Sequence, residues 1–278
     1  MFQKLLLLLL FGAFLGSPIH AQTLRIATYN IRYDNRGDSL NPWKDRAPVI
    51  ADLVRFHDFD IFGTQEGLYN QLQDLAGSLK EYTFFGAGRD DGKQAGEFSA
   101  IFYKKDKFDL LKSSTFWLST TSDRPSKGWD AALPRVCTWG QFKDRASGRS
   151  FYVFNVHFDH RGQEARKESA ALLLGRIKEM AGTTPVVLTG DFNFNQKNPN
   201  YELLAKSGLL KDTYELAPIR YAPNGTFNSF DIKSKHDNRI DHIFVTSAFK
   251  VGRYGILTDT YGGRFPSDHF PVLVELKY

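Results

Sequence analysis

Ser267-Asp268-His269-Phe270-Pro271-Val272 sets an acid and a histidine side by side at the start of the last apolar run. Three other short polar clusters sit at the ends of apolar runs: Thr28-Tyr29-Asn30, Gly190-Asp191-Phe192-Asn193 and Arg239-Ile240-Asp241-His242. Gln65-Glu66 follows another such run. Strand ends in α/β proteins are where side chains converge on a ligand. One cluster of this kind means little. Together they point to a single oxygen-rich site assembled from the whole chain.

The elements between these clusters alternate in type. Leu24 to Arg32, Asp60 to Thr64 and Pro185 to Thr189 read as strands, and Arg46 to His57, Leu68 to Leu79 and Glu164 to Met180 carry helical apolar spacing. Phe98 to Tyr103 and Phe108 to Leu118 read as neighbouring strands joined by the turn Lys104 to Lys107. Val136 to Phe142 and Phe151 to Phe158 read as a hairpin around Arg145 to Gly148. Ser119 to Leu133 is a polar loop, and Asn200 to Lys206 is helical. Ile240 to Val245, Phe249 to Leu257 and Pro271 to Leu276 make the last part rich in strands. The pattern is one α/β domain with two sheets face to face and helices outside.

With 278 residues, 42% of them apolar, the chain can bury a sizeable core. Its start has a different character. Lys4, the apolar run Leu5 to Leu15 and the small residue Ala21 form the pattern of a secretory signal. The run is too short to span a bilayer. Residues 1–21 are expected to be removed and 22–278 to form the domain, in the periplasm or the medium. Cys137 is the lone cysteine, so no internal disulfide can form, and its strand-like surroundings predict a buried thiol. A net charge of +5 permits an anionic substrate without demanding nucleic acid.

Asn30, Glu66, Asp191, Asn193 and Asp268 are hard oxygen donors at strand ends. Carboxylates gathered in one site need a counter-charge. Magnesium satisfies that need, with manganese or calcium as substitutes. Taken alone, Gly-Asp-Phe-Asn is ordinary turn chemistry; its place among the other clusters is what marks it. His157, in Asn155-Val156-His157-Phe158-Asp159-His160, and His269 each have a carboxylate partner to hand, which points to proton transfer and phosphate binding. Asp241 is expected to orient His269, and Glu97 to orient His157. No zinc spacing, serine elbow, Walker loop or dinucleotide fingerprint is present in the sequence.

In order along the chain, these pieces resemble the endonuclease/exonuclease/phosphatase superfamily of metal-dependent phosphoesterases. They run from Thr28-Tyr29-Asn30 through Gln65-Glu66, Gly96-Glu97-Phe98-Ser99-Ala100-Ile101-Phe102-Tyr103, Asn155-Val156-His157, Gly190-Asp191-Phe192-Asn193 and Arg239-Ile240-Asp241-His242 to Ser267-Asp268-His269. The resemblance implies a four-layer α/β/β/α sandwich with the site at one end of the packed sheets. It implies Glu66 as the principal metal carboxylate, with Asn30 beside it and Asp268 reaching the metal or orienting its neighbour. It implies Asp191 as the acid that positions the attacking water or protonates the leaving group, and Asn193 as a holder of phosphate and water. Asp241 and His269 resemble the Asp-His pair that acts as base or phosphate clamp. His157 matches the branch with histidine at this position, and Glu97 resembles its partner. Arg135 is a candidate phosphate contact with a surface ion pair as its competing role, and Arg166 is a candidate brace.

The expected activity is hydrolysis of a phosphate ester by an exported, magnesium-dependent, secreted bacterial member. Water attacks in line without a covalent intermediate. A nuclease-like phosphodiesterase acting on nucleic acid leads. Behind it stand a sphingomyelinase or phospholipase C type working on membrane lipid, for which Tyr261-Gly262-Gly263-Arg264-Phe265 is the candidate contact loop, and a sugar- or inositol-phosphate phosphatase. A non-catalytic binding protein is the remaining alternative. A monomer is expected.

Overall fold

The computed structural model describes residues 23–278 apart from positions 39, 234 and 236. The expected signal segment, 1–21, lies outside the described residues. The elements in chain order are β1 (Thr23–Asn30), α1 (Trp43–Phe56), β2 (Ile61–Gln65), α2 (Tyr69–Ser78), β3 (Tyr82–Phe85), β4 (Ile101–Lys104), β5 (Phe108–Trp117), β6 (Val136–Asp144), β7 (Ser150–His157), α3 (Gln163–Ala181), β8 (Val186–Asp191), α4 (Pro199–Ala205), β9 (Lys211–Asp212), α5 (Thr213–Leu216), β10 (Ile219–Tyr221), β11 (Asp241–Val245), β12 (Lys250–Ile256) and β13 (Val272–Lys277). One sheet runs β10-β12-β13-β1-β2-β4-β3 and the other β5-β6-β7-β8-β11-β9.

Alternation along the central strands builds the layers. Successive side chains point to opposite faces of a sheet. Ile26, Ile61, Val153, Val187, Ile243 and Val274 point between the sheets into one core. The next residues along, Ala27 and Phe62, pack outward against Ile50, Val54 and Leu72 of α1 and α2. Phe154, Leu188 and Phe244 pack outward against Ala170, Leu173 and Ile177 of α3. Three apolar layers between four structural layers give an α/β/β/α sandwich. Strands buried on both faces read as continuous apolar runs, which is why the periodicity alone is faint.

The same parity positions the polar residues. Two steps on from Ile26 and Val187 lie Thr28 and Thr189, and four steps on lie Asn30 and Asp191. Val153 leads through Asn155 to His157, and Ile243 leads back to Asp241. Pairing levels these ends, with Asn30 opposite Gln65, His157 opposite Asp191, and Asp191 opposite Asp241. One end of the inter-sheet face is therefore polar.

Two sequence expectations need correction. β4 and β5 are not neighbouring strands: β4 pairs with β2 and β3, and β5 pairs with β6 in the other sheet. The turn Lys104 to Lys107 is a crossing between sheets. Its charges find partners at the corner, Lys107 Nζ donating to Asp60 Oδ1 at 2.6 Å. The short β3, β9 and β10 and the single turn α5 carry too few residues for a period to register. The hairpin of β6 and β7, the irregular segment 119–133 and the buried Cys137 are as the sequence implies. Among the described residues no helix is long and apolar enough to cross a membrane.

Candidate active site

All ten candidate residues come to the polar end of the sandwich. Eight of them (Glu66, Glu97, Arg135, His157, Asp191, Asn193, Asp268 and His269) line one cavity of about 790 Å³. Asn30 and Asp241 lie behind its floor, both fully buried. The chain enters left-handed backbone at Arg32 (φ 55°), Glu66 (φ 64°) and Asn193 (φ 52°), each just past a strand end. For residues with side chains that conformation is costly and collects at functional sites. Here it turns each side chain out of the ladder and into the cavity.

On one side of the floor, Asn30 Nδ2 donates to Glu66 Oε1 (3.1 Å) and to Asp191 Oδ2 (3.0 Å). Its Oδ1 accepts the backbone N–H of Arg32 (3.0 Å), which fixes the amide's orientation. Ser267 Oγ donates to the Asn30 carbonyl (2.7 Å) and ties the approach to β13 to the end of β1. Asp268 and Glu66 face the cavity with Arg32 between them, its Nη1 3.6 Å from Asp268 Oδ2 and 3.9 Å from Glu66 Oε2. Asp38 holds the other edge of that guanidinium with two bonds, of 2.8 and 3.1 Å.

On the other side, His269 Nδ1 donates to Asp241 Oδ2 at 2.9 Å, as the sequence implies. Its Nε2 lies 3.8 Å from Asp191 Oδ2. Burial would lower the His269 pKa, but Asp241 and Asp191 outweigh it and hold the ring well above the usual histidine range, as imidazolium. Asp191 is raised to about 7 by burial and by the charge of Asp241, partly offset by His269. Asp268 is raised to about 6 by burial, with His269 opposing and Glu66 adding to the rise. Burial, with Arg135 and Arg89 beside it, takes His157 well below the ordinary value, so this ring is neutral.

The expected partner of His157 is corrected. Glu97 Oε2 is 3.9 Å from His157 Nδ1, outside hydrogen-bond distance, and pairs with Arg89 Nη1 at 2.5 Å. Arg135 takes the place at His157 Nδ1, at 3.1 Å. Arg135 is 5% exposed, so it is no surface ion pair. Arg166 braces, donating from Nη1 to the carbonyl of Asp159 at 2.7 Å. In the candidate membrane loop Gly262, Gly263 and Arg264 are exposed and Tyr261 is half-buried, while Phe265 is buried with its ring centred 4.9 Å from that of Phe270.

Sequence reasoning missed Arg32, Asp38, Arg89, Phe227 and Phe230, all on the cavity wall. Arg32 carried a usable signal, standing two residues beyond Asn30. The two phenylalanines carried none.

The donor set suits a hard divalent cation. Glu66 and Asp268 are oxygen donors on the cavity wall, and the two carboxylates raised towards neutrality mark an excess of negative charge. Asp191, Asp241 and His269 also bring ligand atoms within 4.8 Å of one another. In that trio, however, His269 Nδ1 already bonds Asp241, and both Asp191 oxygens already accept N–H groups.

The endonuclease/exonuclease/phosphatase family model matches residues 27–269. The chain is similar to the solved structure of a mannosyl-6-phosphatase from Bacteroides thetaiotaomicron, with 52% identity, a TM-score of 0.90, and coverage of 92% of this chain and 100% of that one. A family member from Bacteroides vulgatus is 43% identical, with a TM-score of 0.89 over 92% of this chain and 99% of that one. Among curated relatives, Nocturnin of Drosophila melanogaster is 23% identical over 94% of this chain, which spans 48% of that protein's length.

Proposed function

From the chain's membership of the endonuclease/exonuclease/phosphatase family, whose members hydrolyse phosphoric esters, we propose that it is a magnesium-dependent phosphomonoesterase acting on a sugar phosphate. The observation that carries the reading is the cavity wall. Asp38 and Glu97 stand among Arg32, Arg89 and Arg135, and Tyr33, Phe227 and Phe230 add ring faces. Nucleic acid needs a track of positive charge that neutralises successive phosphates. A bowl of mixed charge and aromatic rings fits one phosphate on a hydroxyl-rich, neutral body. The similarity to a mannosyl-6-phosphatase supports the same choice. It favours a sugar phosphate over the nuclease-like expectation, which the more distant Nocturnin relative supports, and the buried Phe265 leaves the candidate membrane loop without its large apolar side chain at the surface.

Glu66 and Asp268 would hold the magnesium ion, which when bound supplies positive charge to the phosphoryl oxygens. The protein's own groups do the rest. His269, charged and fixed by Asp241, donates from Nε2 to a phosphoryl oxygen. Asp191 is held by the backbone N–H of Asn193 (2.9 Å) and by Asn30, so its carboxylate is aimed. It takes a proton from the attacking water, for which a pKa near neutrality is suited. Asn193 and His157 bind the phosphate on the far side. Water is the nucleophile, the P–O bond to the sugar oxygen breaks, that oxygen takes a proton from solvent as Asp191 gives its own back to solvent, and inorganic phosphate and the free sugar leave. The protein acts as an exported monomer.

The test is phosphate release by the purified chain with magnesium. Hexose 6-phosphates, inositol phosphates, DNA, RNA and phospholipid vesicles are compared side by side. Turnover of hexose phosphate well above the rest is expected. Salt-sensitive nucleic-acid cleavage with no sugar-phosphate turnover would overturn the substrate and leave the phosphoesterase. Sequencing the N-terminus of protein recovered from the periplasm or medium tests export.

A further inference from the structure

We propose that Arg135 fixes the tautomer of His157, so that the ring presents Nε2–H beside the Asn193 amide as a pair of converging donors for one phosphate oxygen. The inference rests on the phosphoester reading of the site.

The argument is a count of protons. A guanidinium only donates and has no acceptor form. Arg135 uses all three nitrogens. Nη1 lies 3.1 Å from His157 Nδ1, Nη2 lies 3.0 Å from His160 Nδ1, and Nε lies 3.4 Å from Asp159 Oδ2. A proton on His157 Nδ1 would therefore point at a donor. The neutral ring must carry its proton on Nε2.

At Nε2 the ring meets another donor. Asn193 Nδ2 is 3.1 Å away and also donates to the Phe158 carbonyl at 3.0 Å. Turning the amide over would put its oxygen against that carbonyl instead. Asp191 Oδ2 lies 3.6 Å from Nε2, too long for a hydrogen bond. On this tautomer two N–H groups meet at one place on the cavity wall, 3.1 Å apart at their nitrogens. An anionic oxygen satisfies both. Glu97, paired with Arg89, is withdrawn from the ring, and burial with Arg135 and Arg89 beside it disfavours an imidazolium at His157. Arg135 acts through His157 and is a positioning residue.

The test is ¹⁵N NMR of the imidazole of His157 in the full mature chain, titrated with inorganic phosphate. In the unsubstituted protein Nδ1 should be unprotonated and Nε2 protonated at neutral pH, with the Nε2–H signal moving on phosphate addition. Arg135→Met should lose the tautomer preference and weaken phosphate binding about tenfold, a loss matching one charge-assisted hydrogen bond. Arg135→Lys, which keeps a donor, should restore the tautomer. A ring protonated on Nδ1, or on both nitrogens, overturns the proposal. So does Arg135→Met that loses phosphate affinity with the tautomer unchanged, because Arg135 would then touch the anion itself. If Arg135→Met fails to fold, the spectrum of the unsubstituted protein still decides. The tautomer readout needs no ester substrate, so a failed sugar-phosphate assay and a failed tautomer assignment are separable.

Discussion

Asn155→Ala removes the polar pin between the two sheets. Asn155 points into the inter-sheet space, two residues before His157. Its Nδ2 donates to the carbonyls of Thr64 (2.9 Å) and Ala100 (3.0 Å) in the facing sheet. Its Oδ1 accepts from Gln65 Nε2 (2.7 Å) and Thr189 Oγ1 (3.0 Å). Four net bonds of about 0.5–1.5 kcal/mol each sum to about 2–6 kcal/mol. Two partners keep a second bond, Gln65 to Thr28 and the Ala100 carbonyl from the Thr64 N–H, and the single Thr189 hydroxyl proton can turn to the Phe154 carbonyl. The expected loss is therefore about 3 kcal/mol, or roughly 6–12 °C in Tm for a domain of this size. Gly63 supplies an independent check. A Cβ there would lie 2.2 Å from Asn155 Oδ1 and 2.7 Å from Thr189 Oγ1. Gly63→Ala should cost about 2–3 kcal/mol by overpacking. In the double variant the first clash is gone, so the pair should couple by about 2 kcal/mol in the favourable direction. Urea unfolding of the four proteins measures this. A loss below about 1 kcal/mol for Asn155→Ala, or simple additivity of the pair, would refute the pin.

Three further outcomes are expected. Glu66→Gln should abolish magnesium binding by calorimetry and the activity with it, while the melting temperature holds; retained magnesium affinity would remove Glu66 from the metal site. Activity should rise with pH as Asp191 loses its proton, near its raised value of about 7, and fall again in the alkaline range as His269 loses the proton that Asp241 and Asp191 help it keep. Asp241→Asn removes the larger of those charges, so the alkaline limb should move to lower pH, and a pH–rate profile with that limb unmoved would contradict the pairing. Asp212 is buried, yet His242 and Arg239 hold its carboxyl far below the carboxylate range. A group so depressed stabilises the fold above about pH 4 and loses that contribution as pH falls. Asp212→Asn should be less stable at neutral pH and show a shallower acid slope in urea midpoints, whereas identical slopes would place the acid sensitivity elsewhere.

What the sequence revealed, and what it hid, follows from which interactions are local. Asn30, Asp191 and Asp241 were legible because strand parity carries them from the same face as Ile26, Val187 and Ile243, and strand ends are marked by polar residues. Their arrangement into one site needs only that the two sheets stack with aligned ends. The pairing of Glu97 was not legible, because it depends on which guanidinium reaches His157 first. Arg89 and Arg135 are 46 residues apart in number, and only the fold brings both to Glu97 (2.5 and 3.9 Å). Arg46 makes the same point more strongly. In the sequence it is one cation on an amphipathic helix, where a solvated face is the usual outcome. In the fold it is fully buried and donates to the carbonyls of Ile31, Arg32, Asn41 and Pro266. Those carbonyls belong to the segment that leaves β1 and to the segment that approaches β13. Arg46 therefore holds together the chain ends that carry Asn30, Arg32 and Asp268. A buried cation kept by backbone carbonyls and the rings of Trp43 and Phe230, with no carboxylate hydrogen-bonded to it, has no partner in the sequence to announce it, so the brace that sets one wall of the site has no sequence signal.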